Sequence, residues 1–260
     1  MAVVKSGARF LGVMLLGFGL AACSGQQERP LDTYTAEEIF KMGELRLEAS
    51  RRPDDAIRYF QEVERLYPYS QVAKRALIMQ AFSYHKAKKY EEARAAAQRY
   101  LDFYPGDEDA PYALYLMALS YYDQIDDVGR DQGVTFQALQ GMRDVIETYP
   151  DSDYARSAML KFELAFDHLA GKEMEIGRHY QRMGLWLAAD MRFRNVVEKF
   201  DTTSHTPEAL YRLCESSLAL GVPQEAVKYA AVLGANYPGS EWYERAFKLV
   251  NKNAEGVVAS

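Results

Sequence analysis

Two cysteines and four histidines are the side chains of this 260-residue chain best suited to making or breaking bonds. A thiol becomes a nucleophile when an imidazole takes its proton, so Cys214 invites pairing with His205 or His179. The four histidines, His85, His168, His179 and His205, form no His-Glu-x-x-His pattern and no short Cys/His spacing suited to a metal. The chain also lacks a Gly-x-Ser-x-Gly turn and a phosphate-binding loop. The acidic pair Asp126-Asp127 lies in a polar run, without the alternate-residue ligands and closing glutamate of a calcium loop, and reads as solvated loop. These observations predict no enzyme, no metal and no cofactor. What remains is Cys23, where chemistry is done to the chain.

Lys5 and Arg9 open the sequence, Phe10 to Ala22 is apolar or glycine throughout, and small residues precede Cys23. That is the layout of a secretory leader. The apolar run is too short for a spanning helix, which needs about 20 residues. The order Leu20-Ala21-Ala22-Cys23 resembles the lipobox of bacterial lipoproteins. The resemblance implies a diacylglycerol and an N-acyl chain on Cys23, which becomes the first mature residue. An ordinary Ala-x-Ala cleavage signal with an unrelated cysteine is the alternative. Ser24 follows where aspartate would retain a lipoprotein in the inner membrane, so the same resemblance implies lipid anchoring at the periplasmic face of the outer membrane. Buried acyl chains contribute about 0.8 kcal/mol per methylene, enough together for a durable anchor. Loss of Lys5 and Arg9 with the leader removes two cations and takes the formal net charge from −6 to −8. Such a chain is a poor partner for nucleic acid. With Cys23 acylated, Cys214 stands alone, so packing rather than a disulfide must hold the fold.

The elements that would position any site emerge from a repeat. Five segments end in an aromatic, Tyr67, Tyr104, Tyr149, Phe200 and Tyr237, at spacings of 37, 45, 51 and 37 residues, and four of the five are followed by proline. Eleven residues before each stands alanine: Ala56, Ala93, Ala138, Ala189 and Ala226. Seven before come Phe60, Ala97, Met142, Phe193 and Ala230, and four before come Val63, Tyr100, Val145, Val196 and Leu233. These positions share one stripe of an α-helix, with alanine where another helix must come close. Proline then stops the helix. Three residues past each aromatic is Ser70, Asp107, Ser152, Thr203 or Ser240, each suited to cap a second helix, and nine past is alanine again: Ala76, Ala113, Ala158, Ala209 and Ala246.

The unit is a helical hairpin, and stacking hairpins buries a core that none could supply alone. It resembles the tetratricopeptide repeat in segments such as YEEARAAAQRYLDFYPGDEDAPYALYLMALSYY. The expected fold is therefore all-α: an α-solenoid of about five hairpins with a C-terminal capping helix. The segment from Ala36 to Ala49 supplies the first helix, and a helix from beyond Ser240 to about Asn251 caps the end. The 45-residue interval carries a polar loop, Asp123 to Gly133, and the 51-residue interval a longer helical excursion expected to break near Gly171. Cys214 falls in the column that holds Ala81 and Ala118 elsewhere, which marks it as a small core side chain.

Beside the core stripe of Leu77, Ala81 and Tyr84 lie Ile78, Phe82 and His85, and in the next unit Tyr112, Tyr115, Leu119 and Tyr122. At about 100° per residue these should face the concave groove of the stack, where aromatics would hold an extended apolar peptide. Packing against a neighbouring hairpin is the plainer alternative. Leu160, Leu164 and Asp167 make the later copy less aromatic, which places the groove toward the N-terminal half.

LAACS, the five hairpins, the polar loop of the third unit and the segment RHYQRMGLWLAADMRFRNVVEKF together resemble the BamD (ComL) family. These are lipoproteins of the machinery that folds β-barrel proteins into the outer membrane of Gram-negative bacteria. The resemblance implies a scaffold with two duties. C-terminal hairpins would dock on the periplasmic domains of BamA, alongside other Bam subunits, and N-terminal hairpins would recognise the aromatic-ended signal strand of an unfolded barrel protein. It also implies that Arg192, in ADMRFRN, contacts an acidic residue of BamA, with Arg194 beside it. The resulting plan is a leader over 1–22, a lipidated tether over 23–33, substrate-recognising repeats over 34–148, BamA-docking repeats over 149–252 and a disordered tail over 253–260. A periplasmic adaptor for peptidoglycan synthesis or envelope constriction is the competing function. A wall-cleaving enzyme would need a further domain for which no stretch outside the repeats is long enough.

Overall fold

The computed structural model describes residues 29–49, 53–125 and 133–254. The leader, Cys23 with the first part of its tether, the acidic pair of the polar loop and the tail from 255 onward lie outside the described residues. Within them the chain is helical. The helices are α1 (Ala36–Ala49), α2 (Asp54–Leu66), α3 (Gln71–Lys86), α4 (Tyr90–Phe103), α5 (Ala110–Tyr122), α6 (Gly133–Thr148), α7 (Asp153–Arg182), α8 (Trp186–Lys199), α9 (Thr206–Ala219), α10 (Pro223–Asn236) and α11 (Glu241–Ala254). Each pairs with the next, giving five antiparallel hairpins and a capping helix.

The alanine columns explain the pairing. All ten alanines, five before and five after the terminal aromatics, have zero exposure. Side chains this small let helix axes approach, while Phe60, Val63, Tyr100, Met142, Phe193, Val196 and Leu233 fill the space between. Size is traded across the hairpins. Where the column seven before the aromatic is phenylalanine, the facing helix offers glycine. A Cβ on Gly43 would lie 2.7 Å from the Phe60 ring, and one on Gly177 would lie 2.5 Å from that of Phe193. Cys214 is fully buried, donates to the Ala226 carbonyl at 3.4 Å, and has its thiol pushed up to about 12 by burial, so it is core packing with no thiolate to offer.

Each aromatic ends its helix in one way. The N–H of Tyr67, Tyr104, Tyr149, Phe200 or Tyr237 donates to the carbonyl four residues back, at 2.8–3.0 Å. Ser70, Ser152 and Ser240 then cap the following helix, accepting from Ala73, Ala155 and Tyr243. The other two positions depart from the expected cap. The Asp107 carboxylate is taken by Lys74 and the Tyr100 hydroxyl, and the Thr203 hydroxyl donates to the Phe200 carbonyl. Helices α5 and α9 consequently start later, each with proline in its first turn, at Pro111 and Pro207.

The expected break near Gly171 does not occur: α7 runs unbroken for 30 residues. Glycine costs about 1 kcal/mol inside a helix, but here Leu169, Ala170 and Met174 on either side are locked into the core. The missing side chain instead admits His205 from the start of α9, whose Nε2 would lie 3.1 Å from a Cβ at that position.

Odd-numbered helices also touch their next-but-one neighbours, α1 with α3, α3 with α5, α5 with α7 and α9 with α11, and no even-numbered pair comes together to that extent. The stack therefore curves with the odd helices on its inner side.

Candidate functional site

The inner side changes character along its length. Between α5 and α7 the Tyr112 and Tyr115 rings lie 5.1 Å and 5.6 Å from the ring of Tyr154, forming a three-tyrosine seam. Burial is the main force raising the pKa of all three phenols. Next along, Tyr122 takes the Lys161 ammonium over its face at 5.1 Å and joins Ile125, Leu164, Ala165 and His168 around a cleft of about 200 Å³. Leu160 and Leu164 stand exposed on α7.

The remaining groove residues read from the sequence sit less openly. Ile78 is buried in the core between α3 and α4, beneath the surface expected for it. Phe82 is half-buried with the Lys86 ammonium 5.5 Å from its ring centre, and Leu119 is half-buried between two core clusters. Sequence reading missed Tyr154, because its position two residues inside α7 matches no aromatic column. Its role comes only from the register of α5 against α7.

Between α7 and α9 the seam turns polar. Asp167 accepts from the Ser204 backbone N–H at 3.0 Å and its hydroxyl at 2.8 Å, and lies 3.5 Å from His205. Further along, Arg178 pairs with Glu208 at 3.1 Å and Gln181 donates to Glu215 at 2.8 Å.

A second surface lies at the other side of α7, along the turn into α8. Gly184, at φ +74°, carries that turn, with its own N–H and that of Leu185 returning to the carbonyls of Gln181 and Tyr180. Met183, Leu185, Leu187 and Met191 around it are 47–65% exposed. Arg192 stands beside Met191, its guanidinium 3.2 Å from Glu173, at a cleft of about 390 Å³ that Tyr180 and Asn195 also line. Arg194, two residues on and hence about 200° around the helix, faces away from Arg192. It pairs with the nearly buried Asp190 at 2.8 Å and lies 5.8 Å from the Tyr229 ring centre. The structure thus does not bring the two arginines together. Arg192 belongs to the apolar edge, and Arg194 ties α8 to α10.

Among the described residues no group of three or more His, Cys, Asp or Glu side chains could hold a metal ion. No described helix is long and apolar enough to cross a membrane.

A curved stack of helical hairpins with an aromatic inner seam and an apolar, arginine-bearing edge defines a scaffold of the tetratricopeptide type. The outer membrane lipoprotein family named YfiO matches residues 32–233, and the chain belongs to that family. It is 43% identical over 246 residues to the outer membrane protein assembly factor BamD of Caulobacter vibrioides, covering 94% of this chain and 80% of that one. With the BamD of Rickettsia prowazekii it shares 38% identity over 238 residues, covering 92% and 94%. Among solved structures, the TPR2AB domain complex of yeast Sti1 overlays 85% of this chain and 84% of that chain at 14% identity and a TM-score of 0.45.

Proposed function

We propose that this chain is a non-enzymatic scaffold for outer membrane protein assembly, lipid-anchored through Cys23, that holds unfolded β-barrel chains and docks on BamA. Its relatives carry the name outer membrane protein assembly factor, which fits a protein whose exposed surfaces are made for other polypeptides. The observation that supports the reading is that one solenoid carries an aromatic seam between α5 and α7 and, apart from it, an exposed apolar edge at the α7–α8 turn, each with its own chemistry.

The inner seam suits a barrel strand. Tyr112, Tyr115, Tyr122 and Phe82 present flat apolar faces that exact little entropy on ordering, and Leu119 supports them from beneath. Ile78 contributes by packing. Leu160 and Leu164 extend the surface along α7.

The α7–α8 edge suits a folded partner. Its methionines and leucines offer adaptable apolar contact, and Arg192 sits at the rim with five donors, only part of which Glu173 occupies. A carboxylate on BamA would share or displace Glu173. Arg194 acts behind this surface by fixing α8, which makes its part in docking indirect. The acyl chains on Cys23 confine both surfaces near the membrane and raise their effective concentration for membrane-bound partners.

The deciding experiment titrates the chain against the BamA periplasmic domains and, separately, a barrel-derived C-terminal peptide. Binding to both supports the scaffold reading, and binding to neither removes it. Labelling with a palmitate analogue, lost in Cys23→Ser, tests the anchor.

A further inference from the structure

The α7–α8 edge owes part of its apolar character to sulfur. Met183 caps the C-terminus of α7, its backbone N–H donating to the carbonyls of His179 and Tyr180, and it is 60% exposed. Leu187 and Met191 lie four residues apart on one face of α8, each 65% exposed, and Met191 borders the cleft that holds Arg192, Glu173 and Tyr180. Other sulfur is less accessible. Met142 and Met174 have zero exposure, and Cys214, the one thiol among the described residues, is fully buried. Its thiol is pushed up to about 12, so it offers an oxidant no thiolate. Met159 is 43% exposed but stands 24 residues before Met183 on the same helix, about 36 Å away along the axis.

We propose that Met183 and Met191 form a reversible oxidation site: a peroxide converts each thioether to the sulfoxide, and the sulfoxides loosen the partner proposed for the α7–α8 edge. The inference rests on the docking reading above and adds its regulation. In the step, a sulfur lone pair attacks one peroxide oxygen, an S–O bond forms as the O–O bond breaks, and the departing hydroxide takes a proton to leave as water. Sulfur gives up two electrons, which the peroxide accepts. A thioether needs no base to react, only access, so exposure selects these two positions. The product is polar and chiral where the edge was apolar and adaptable. Burying a sulfoxide oxygen against an apolar partner without a donor costs free energy. On Met191 the same oxygen adds an acceptor to the cleft lined by Arg192, competing with any carboxylate that a partner brings to that guanidinium. Neither side chain belongs to the core around α7 and α8, so the change alters the surface and leaves the hairpins packed. A thiol-dependent reductase reverses it, two thiols becoming a disulfide as the oxygen leaves in water.

The test oxidises the full mature chain carrying Cys23→Ser with hydrogen peroxide, removes the excess with catalase, and reads the sulfoxide at each methionine by peptide mass spectrometry before titration against the BamA periplasmic domains. Met183 and Met191 are expected to oxidise about tenfold faster than Met142 and Met174, or more, and the oxidised chain to bind BamA about tenfold more weakly. Affinity for a barrel-derived peptide should be unchanged. Methionine sulfoxide reductases of both stereospecificities, with dithiothreitol, should restore BamA binding. Met183→Leu/Met191→Leu keeps the apolar volume without sulfur, and should bind as the parent does and hold its affinity through oxidation. Met159→Leu should give no such protection. Equal affinity before and after oxidation overturns the proposal. So does a loss that the double leucine chain shares, or edge methionines that oxidise no faster than the buried ones. Docking is judged separately, on the untreated chain: failure to bind BamA there removes the docking reading and this proposal with it.

Discussion

The Tyr67 hydroxyl donates a 2.6 Å hydrogen bond to the backbone carbonyl of Tyr34. Tyr67 ends α2, and Tyr34 lies just before α1, so the bond pins the entering segment to the far end of its own hairpin. Tyr67→Phe removes only that bond. It should cost about 0.5–1.5 kcal/mol and speed amide exchange in the first turns of α1. Unaltered exchange there would show that packing of Leu31 and Tyr34 suffices.

Gly177 has no room for a methyl group. Gly177→Ala would place Cβ 2.5 Å from the fully buried Phe193 ring, and about 1–3 kcal/mol of stability should be lost in urea unfolding. Adding Phe193→Leu should recover part of the loss. A second change that deepens the defect additively would refute the steric account.

Lys88 adopts φ 60°, the left-handed geometry that Gly184 and Gly221 supply in the equivalent turns. Replacing Lys88 with glycine should raise stability by about 1 kcal/mol, the cost that a side chain incurs there. A lower melting temperature would mean that the lysine side chain makes an offsetting contribution.

His85 sets a pH dependence. Burial holds its imidazole below the usual 6.5 and the Lys86 charge adds to this, while Asp123, 3.0 Å from Nε2, opposes it. A base with a depressed folded pKa binds fewer protons folded than unfolded, so its contribution is present above the unfolded value and fades as pH falls through the folded one. Stability should decline from pH 7 toward pH 5, and His85→Gln should flatten that slope. Parallel slopes for the two proteins would assign the acid sensitivity to other groups.

The two surfaces proposed for recognition should fail independently. Arg192→Glu should weaken BamA binding by 2–5 kcal/mol or about that, if the pair is desolvated, while leaving peptide affinity intact. Tyr115→Ala or Phe82→Ala should weaken the barrel peptide about tenfold and spare BamA. Calorimetric titration of each variant with both ligands separates these outcomes. Cross-effects of equal size would mean a single shared surface.

The hairpins were legible because their signal is local and repeated: an alanine column means close helices wherever it occurs, and an aromatic before proline means a stop. Local rules failed where a distant residue intervenes. Gly171 reads as a breaker until His205 is seen occupying the space beside it. Asp107 reads as a cap until Lys74 and Tyr100 claim its carboxylate. Tyr154 joins Tyr112 and Tyr115 only through packing between units, and Glu173 meets Arg192 across a hairpin, so neither relation has a spacing to betray it.

The continuity of α7 has a metric consequence. Tyr154 in the groove and Glu173 under Arg192 stand on one uninterrupted helix, 19 residues apart, which at 1.5 Å per residue is about 28 Å. A helix packed along its length against α6 and α8 resists bending. It therefore fixes a set stand-off between the groove and the α7–α8 edge, a ruler for the two partners proposed to dock there.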